Sequence, residues 1–140
     1  MKKLLLLLFV CTAFACKKDA DKTLTSNTWV IESISVSPAM TIGTKTSSNY
    51  IELMGQASCA ATMMISFSND GTYTMGSNGA LCDMATVTGI RTWERSGNQI
   101  ILSATKKFPM TLSGKTLSQT VTTDATGGTV YTFNYVYKAK

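Results

Sequence analysis

The chain has 140 residues, with 44% hydrophobic and 15% charged side chains, 10 glycines and 2 prolines; this fits one globular domain and excludes collagen-like, coiled-coil and disordered classes. Its formal net charge is +5 and it contains no histidine, which excludes imidazole-dependent chemistry, including Ser-His and Cys-His catalysis and most catalytic zinc sites. The basic residues are scattered, with short pairs at Lys17-Lys18 and Lys106-Lys107 and no arginine stripe interleaved with aromatics, so nucleic acid is not an expected partner.

At the N-terminus, Met1-Lys2-Lys3 is basic, Leu4 to Val10 is an unbroken apolar run, and Ala13-Phe14-Ala15 sets small residues before Cys16. That order reads as a secretory leader over 1–15. The run falls well short of the roughly 20 residues that a spanning helix requires. A cysteine directly after small-aromatic-small resembles the lipobox of bacterial lipoproteins, which implies acylation of the Cys16 thiol and anchorage at a membrane surface without spanning it. Cys11 fits worse, because bulky Val10 precedes it; an ordinary secreted protein cut nearby is the alternative. Residues 16–23 include Lys17-Lys18-Asp19-Ala20-Asp21-Lys22, which is charged and lacks apolar periodicity, and they read as a lipidated cysteine with a flexible tether. The tether also resembles the export signals that carry lipoproteins of Bacteroidota-type bacteria to the outer face of the outer membrane. The expected location is the cell envelope, lipid-anchored at the outer membrane, on its periplasmic face or at the cell surface.

From Leu24 onward the apolar period is two, as in Met63, Ile65 and Phe67 or Phe108, Met110 and Leu112. The pattern predicts an all-β domain over 24–140, with strands at Thr28–Val36, Thr62–Ser68, Thr72–Gly76, Thr86–Arg95, Gln99–Ala104, Phe108–Leu112, Thr116–Thr122 and Thr129–Lys138. Asn69-Asp70-Gly71, Ser96-Gly97-Asn98 and Ser113-Gly114-Lys115 supply hairpin turns, and Gly127-Gly128 the last bend. Such short connections cannot carry helical crossovers, so the expected architecture is a small antiparallel up-and-down β-barrel of about eight strands, or a sandwich. Ser37 to Ala61 interrupts the meander as a long polar insertion, within which Tyr50 to Met54 reads as either a short strand or a helical turn.

With Cys16 assigned to lipid, Cys59 and Cys82 remain as an even pair in an exported protein, which predicts a structural disulfide. The ordered set of Leu24, Trp29, Cys59, Phe67-Ser68-Asn69-Asp70-Gly71-Thr72-Tyr73-Thr74, Cys82, Trp93 and Ser96-Gly97-Asn98 resembles the bacterial lipocalin-like domain found in many lipoproteins. The resemblance covers most of Leu24 to Lys138 and implies a small β-barrel without implying one activity. The chain departs from that pattern at Asn27, where a glycine is usual, and at Arg91, which stands in place of the glycine before Trp93.

Ligand hints come from the aromatics. Tyr131, Phe133, Tyr135 and Tyr137 alternate along the last strand and share one face; the pattern leaves open which face points inward, and if it is the aromatic one the rings either fill an eight-stranded barrel or line a cavity in it. Arg91 and Arg95 flank Trp93 at two-residue spacing, a face suited to an anionic head group. The candidate ligand-binding residues are therefore Trp93, Arg91, Tyr131, Phe133 and Tyr135. No catalytic residue, metal site or cofactor is expected: the chain lacks a phosphate loop, a nucleophile elbow and any His-based metal motif, and its methionines are scattered and suit core filling. Two functions follow as expectations. One is an envelope lipoprotein whose barrel binds a small apolar or amphipathic ligand. The other is a non-enzymatic interaction module with a filled barrel, docking on an envelope protein or a surface glycan.

Overall fold

The computed structural model describes residues 19–78, 82, 90–124 and 128–140; Cys16, the leader and the start of the tether lie outside them. Residues 19–25 form a helix, α1. The strands are β1 (Thr28–Ile42), β2 (Lys45–Asn49), β3 (Met63–Phe67), β4 (Tyr73–Ser77), β5 (Trp93–Ser96), β6 (Gln99–Leu102), β7 (Met110–Ser113), β8 (Thr116–Thr122) and β9 (Thr132–Ala139), with a short helix α2 (Tyr50–Met54) after β2.

Eight of the strands pair in the order β4-β3-β1-β9-β8-β7-β6-β5, and β2 pairs with β1 alone. Every described pairing is antiparallel. The ends of this order meet at one bridge, Thr72 with Thr92, supported by Tyr73 N–H donating to Arg91 C=O at 3.0 Å and Trp93 N–H to Gly71 C=O at 2.9 Å. The result is a nearly closed antiparallel barrel, with β2 added outside the ring and a narrow seam between β4 and β5.

Inward parity follows the hydrophobic alternation. On β3, Ile65 and Phe67 are buried; on β9, Phe133 and Tyr137 are buried while Asn134 and Lys138 are exposed. The aromatic face of β9 therefore points inward. On β1 the inward positions are Trp29 and Ile31, then Ile34 and Val36, because the register with β9 slips between Ile31 and Ser33. A bulge at Glu32 keeps the apolar side chains on the core face through a change of parity.

The expected polar insertion is only partly an insertion. β1 continues to Ile42 and turns at Gly43 into β2, with a register shift between Ser35 and Met40; Pro38 lies in that stretch and has no N–H to give the ladder. Tyr50 to Met54 is helical. Asn49 caps it by accepting from Glu52 N–H at 3.2 Å, and Ser47 Oγ donates to the Glu52 carboxylate at 3.0 Å.

Two further expectations are corrected. Residues 19–23, read as tether, are helical, because Ala20 and Leu24 lie one turn apart and pack on the core, Leu24 with no exposure. Thr23, Thr25, Ser26 and Asn27 side chains each donate to the carbonyl four residues earlier, and the bond from Asn27 satisfies Thr23 C=O in the last turn. The strand expected over Thr86–Arg95 is observed only from Trp93 to Ser96; its part from Thr86 to Gly89 lies outside the described residues, and the Arg91 backbone meets β4 through its carbonyl.

The core has two parts. The larger, at the α1 end, centres on Trp29, Leu24, Ile65, Ile100, Leu117 and Tyr137; Trp29 Nε1 donates to Leu24 C=O at 2.9 Å and so stitches helix to barrel. The smaller, at the other end, packs Ile34, Val36 and Phe133 beneath Ile51 of α2. Each helix thus covers one end of the barrel.

Candidate functional site

The five expected ligand-binding residues fall into two groups. Tyr131, Phe133 and Tyr135 belong to the α2 end. There Tyr50 meets Phe133 edge-on at 5.1 Å between ring centroids, Phe133 stacks on Tyr135 at 6.2 Å, and Phe133 is 8% exposed. These rings pack on one another and on α2. Burial pushes the Tyr135 phenol above its ordinary range, and neighbouring Tyr50 adds to the effect. Tyr137, deeper still, donates its O–H to Met63 Sδ at 3.1 Å, and its ionisation is pushed up further by burial and by Tyr135.

Arg91 and Trp93 belong to the seam. The Asn69-Asp70-Gly71 turn that launches β4 is held by Asp70 Oδ1, which accepts from Thr72 N–H at 2.9 Å and Thr72 O–H at 2.6 Å; these bonds hold the Asp70 carboxyl below its ordinary value. Gly71 takes φ +83°, a conformation that L side chains rarely adopt, and this sets its carbonyl towards Trp93 N–H. Trp93 lies edge-on to Phe67 at 5.7 Å, and its indole N–H is already used on Ser68 C=O at 3.1 Å. It therefore presents an apolar ring to the barrel.

Above Trp93, the Arg91 guanidinium carbon stands 6.0 Å from the centroid of the Tyr73 ring, a cation–π contact worth about 0.5–2 kcal/mol. Tyr73 is 3% exposed. Among the described residues, the buried side-chain nitrogen and oxygen atoms that lack a hydrogen-bond partner are Tyr73 Oη and Arg91 Nε. Leaving such a group unpaired costs about 1–3 kcal/mol. Both sit on residues joined through the backbone at one place, the vertex where β4 and β5 part.

Arg95, expected beside Arg91 on the same face, is committed elsewhere: its Nε donates to Asp21 of α1 and its Nη1 to Gly97 C=O at 2.6 Å. Tyr73 was not among the expected site residues. Its signal lay in the Phe67–Tyr73 cross-strand pair implied by the hairpin, which aims both rings to the same side.

Cys59 and Cys82 form the expected disulfide, with Cα atoms 5.5 Å apart. It ties the loop after α2 to the segment after β4, where Ser77 Oγ also donates to Cys59 C=O at 3.0 Å. Among the described residues no group of three or more Cys, Asp or Glu side chains is placed to hold a metal ion, and no described helix is long and apolar enough to cross a membrane. At the seam two buried donors stand beside the aromatic rings of Tyr73, Phe67 and Trp93. Compared with protein-family models, with curated proteins and with solved structures, the chain has no match.

Proposed function

We propose that this chain is a lipid-anchored lipoprotein of a bacterial outer membrane whose lipocalin-like barrel binds a small apolar or amphipathic ligand, without catalysis. The observation that carries the binding reading is the pair of buried, unpartnered donors at the seam, Arg91 Nε and Tyr73 Oη, beside the rings of Trp93 and Phe67. Buried polar groups are almost always paired, and these two lack a partner among the described residues. The anchor reading rests on the leader and on Cys16. With Cys16 acylated, the three residues to Asp19 span at most about 11 Å, which sets the α1 end of the barrel close to the membrane surface.

The second reading, a filled barrel that docks on an envelope protein or a surface glycan, is favoured by the α2 end, where Tyr50 and Ile51 close over Phe133. Thermal melting of the full chain before and after organic-solvent delipidation separates the two. A ligand-binding barrel loses several degrees of Tm on delipidation and regains them when the extracted lipid is returned, by mass action on the folded state. A filled barrel melts identically in all three samples.

A further inference from the structure

We propose that the ligand carries an uncharged hydroxyl head, held inside the barrel between Tyr135 of β9 and Gln119 of β8. This rests on the ligand-binding reading and adds to it the place and the chemical class. Ile31, Met63, Met75, Gln119 and Tyr135 each share the parity of a buried neighbour two residues away on the same strand, so all five face inward. Their strands are consecutive around the ring, in the order β4-β3-β1-β9-β8. None of the five is fully buried, and Met75 is 37% exposed, whereas Trp29, Ile65, Leu117 and Tyr137 on the same faces are at most 1% exposed. Ile31 and Tyr135 pack against both parts of the core, so the band lies between the two. Inward side chains that keep contact with solvent between two buried layers mark interior space that solvent reaches.

The polar groups of this band are neutral. Tyr135 and Gln119 are register partners, which sets their side chains next to each other. Gln119 Nε2 donates to Phe108 C=O at 2.6 Å and to Thr105 Oγ1 at 3.4 Å, which uses both amide hydrogens and leaves Oε1 as an acceptor. The Tyr135 phenol, kept protonated by its partial burial, is a donor. One acceptor and one donor side by side match a hydroxyl, which donates to the first and accepts from the second. The charged side chains on these five strands are Glu32 and Lys138, which are exposed and meet each other at 3.8 Å. An ionised head would therefore enter without a counter-charge, at a desolvation cost that a hydroxyl avoids. Ile31, Met63 and Met75 supply the apolar lining, and the two flexible thioethers adapt to an alkyl chain.

The test uses the full chain as its host processes it, held in nanodiscs of phosphatidylcholine and titrated calorimetrically with octanol, methyl heptyl ether and octanoate, the heat of empty nanodiscs being subtracted. Octanol and the ether are isomers, and only the alcohol has a hydrogen to donate. The expected result is saturable binding of octanol at least fivefold tighter than either of the others. Gln119→Leu then brings octanol down to the level of the ether, and Tyr135→Phe weakens both severalfold, since both accept from the phenol. Should Gln119→Leu fail to fold, the Tyr135→Phe comparison decides alone. Equal affinity for octanol and the ether, a preference for octanoate, or an octanol preference indifferent to the substitutions overturns the hydroxyl assignment and leaves ligand binding standing. No saturable response to any of the three removes the ligand-binding reading, and this inference with it.

Discussion

Arg95 of β5 donates its Nε to Asp21 of α1 at 2.5 Å, its own side chain 8% exposed and that of Asp21 40% exposed. The contact joins residues 74 positions apart, and with the Leu24 carbonyl on Trp29 it makes α1 a fixed part of the barrel floor. Removing the carboxylate takes the charged partner from a largely buried guanidinium that still donates to Gly97 C=O. Because Asp21 is partly solvated, the loss falls below that of a fully buried pair, and Asp21→Asn is expected to cost about 1–2 kcal/mol. Urea unfolding checks this; an unchanged midpoint would mean that 19–25 moves independently of the barrel.

The Cys59–Cys82 bridge closes a loop of sequence separation 23. In the chain-entropy account such a loop stabilises by about 3 kcal/mol. A double Cys59→Ser, Cys82→Ser variant should unfold at correspondingly lower denaturant, and non-reducing mass analysis of the native protein should show no free thiol at either position.

Tyr137 and Tyr135 both hold their phenols neutral above the ordinary value of 10.0. Below pH 10 the folded and unfolded chains are both protonated at these positions, so their contribution is constant. As pH rises past 10 the unfolded chain ionises first and stability falls, at up to about 1.4 kcal/mol per pH unit for Tyr137 and less for the more exposed Tyr135. Alkaline unfolding should therefore coincide with the appearance of tyrosinate absorbance from these rings. Tyr137→Phe should soften the pH dependence.

The anchor has its own test. Cys16→Ser should abolish metabolic fatty-acid labelling and membrane association together, whereas labelling retained by the variant would place the lipid elsewhere or deny it.

Much of the barrel was legible because an antiparallel meander writes its core in period two: Met63, Ile65 and Phe67, or Tyr131 to Tyr137, announce a strand, while which face of the last strand turns inward is settled only by the burial of Phe133 and Tyr137. What stayed hidden involved a change of rule. The bulge at Glu32 shifts parity from Trp29 and Ile31 to Ile34 and Val36, which a strict alternation test scores as noise. The helix at 19–25 was masked by its charged composition, although Ala20 and Leu24 carried the four-residue spacing that seats it. In the candidate site, Arg91 and Trp93 could be read from their spacing, but Tyr73 could not be joined to them. Their meeting depends on closure of the sheet at Thr72 and Thr92, a long-range pairing that no local pattern encodes. Arg95 was misgrouped for the same reason, since its partner Asp21 lies at the far end of the chain.

The measurement that bears most directly on the account is native mass spectrometry of the full chain as its host processes it, extracted in a mild detergent that is stripped in the gas phase. Ligand binding predicts a one-to-one adduct of small mass that survives in the native spectrum and vanishes on denaturation. A protein that appears at its bare processed mass from several hosts, with and without added lipid extract, would contradict it.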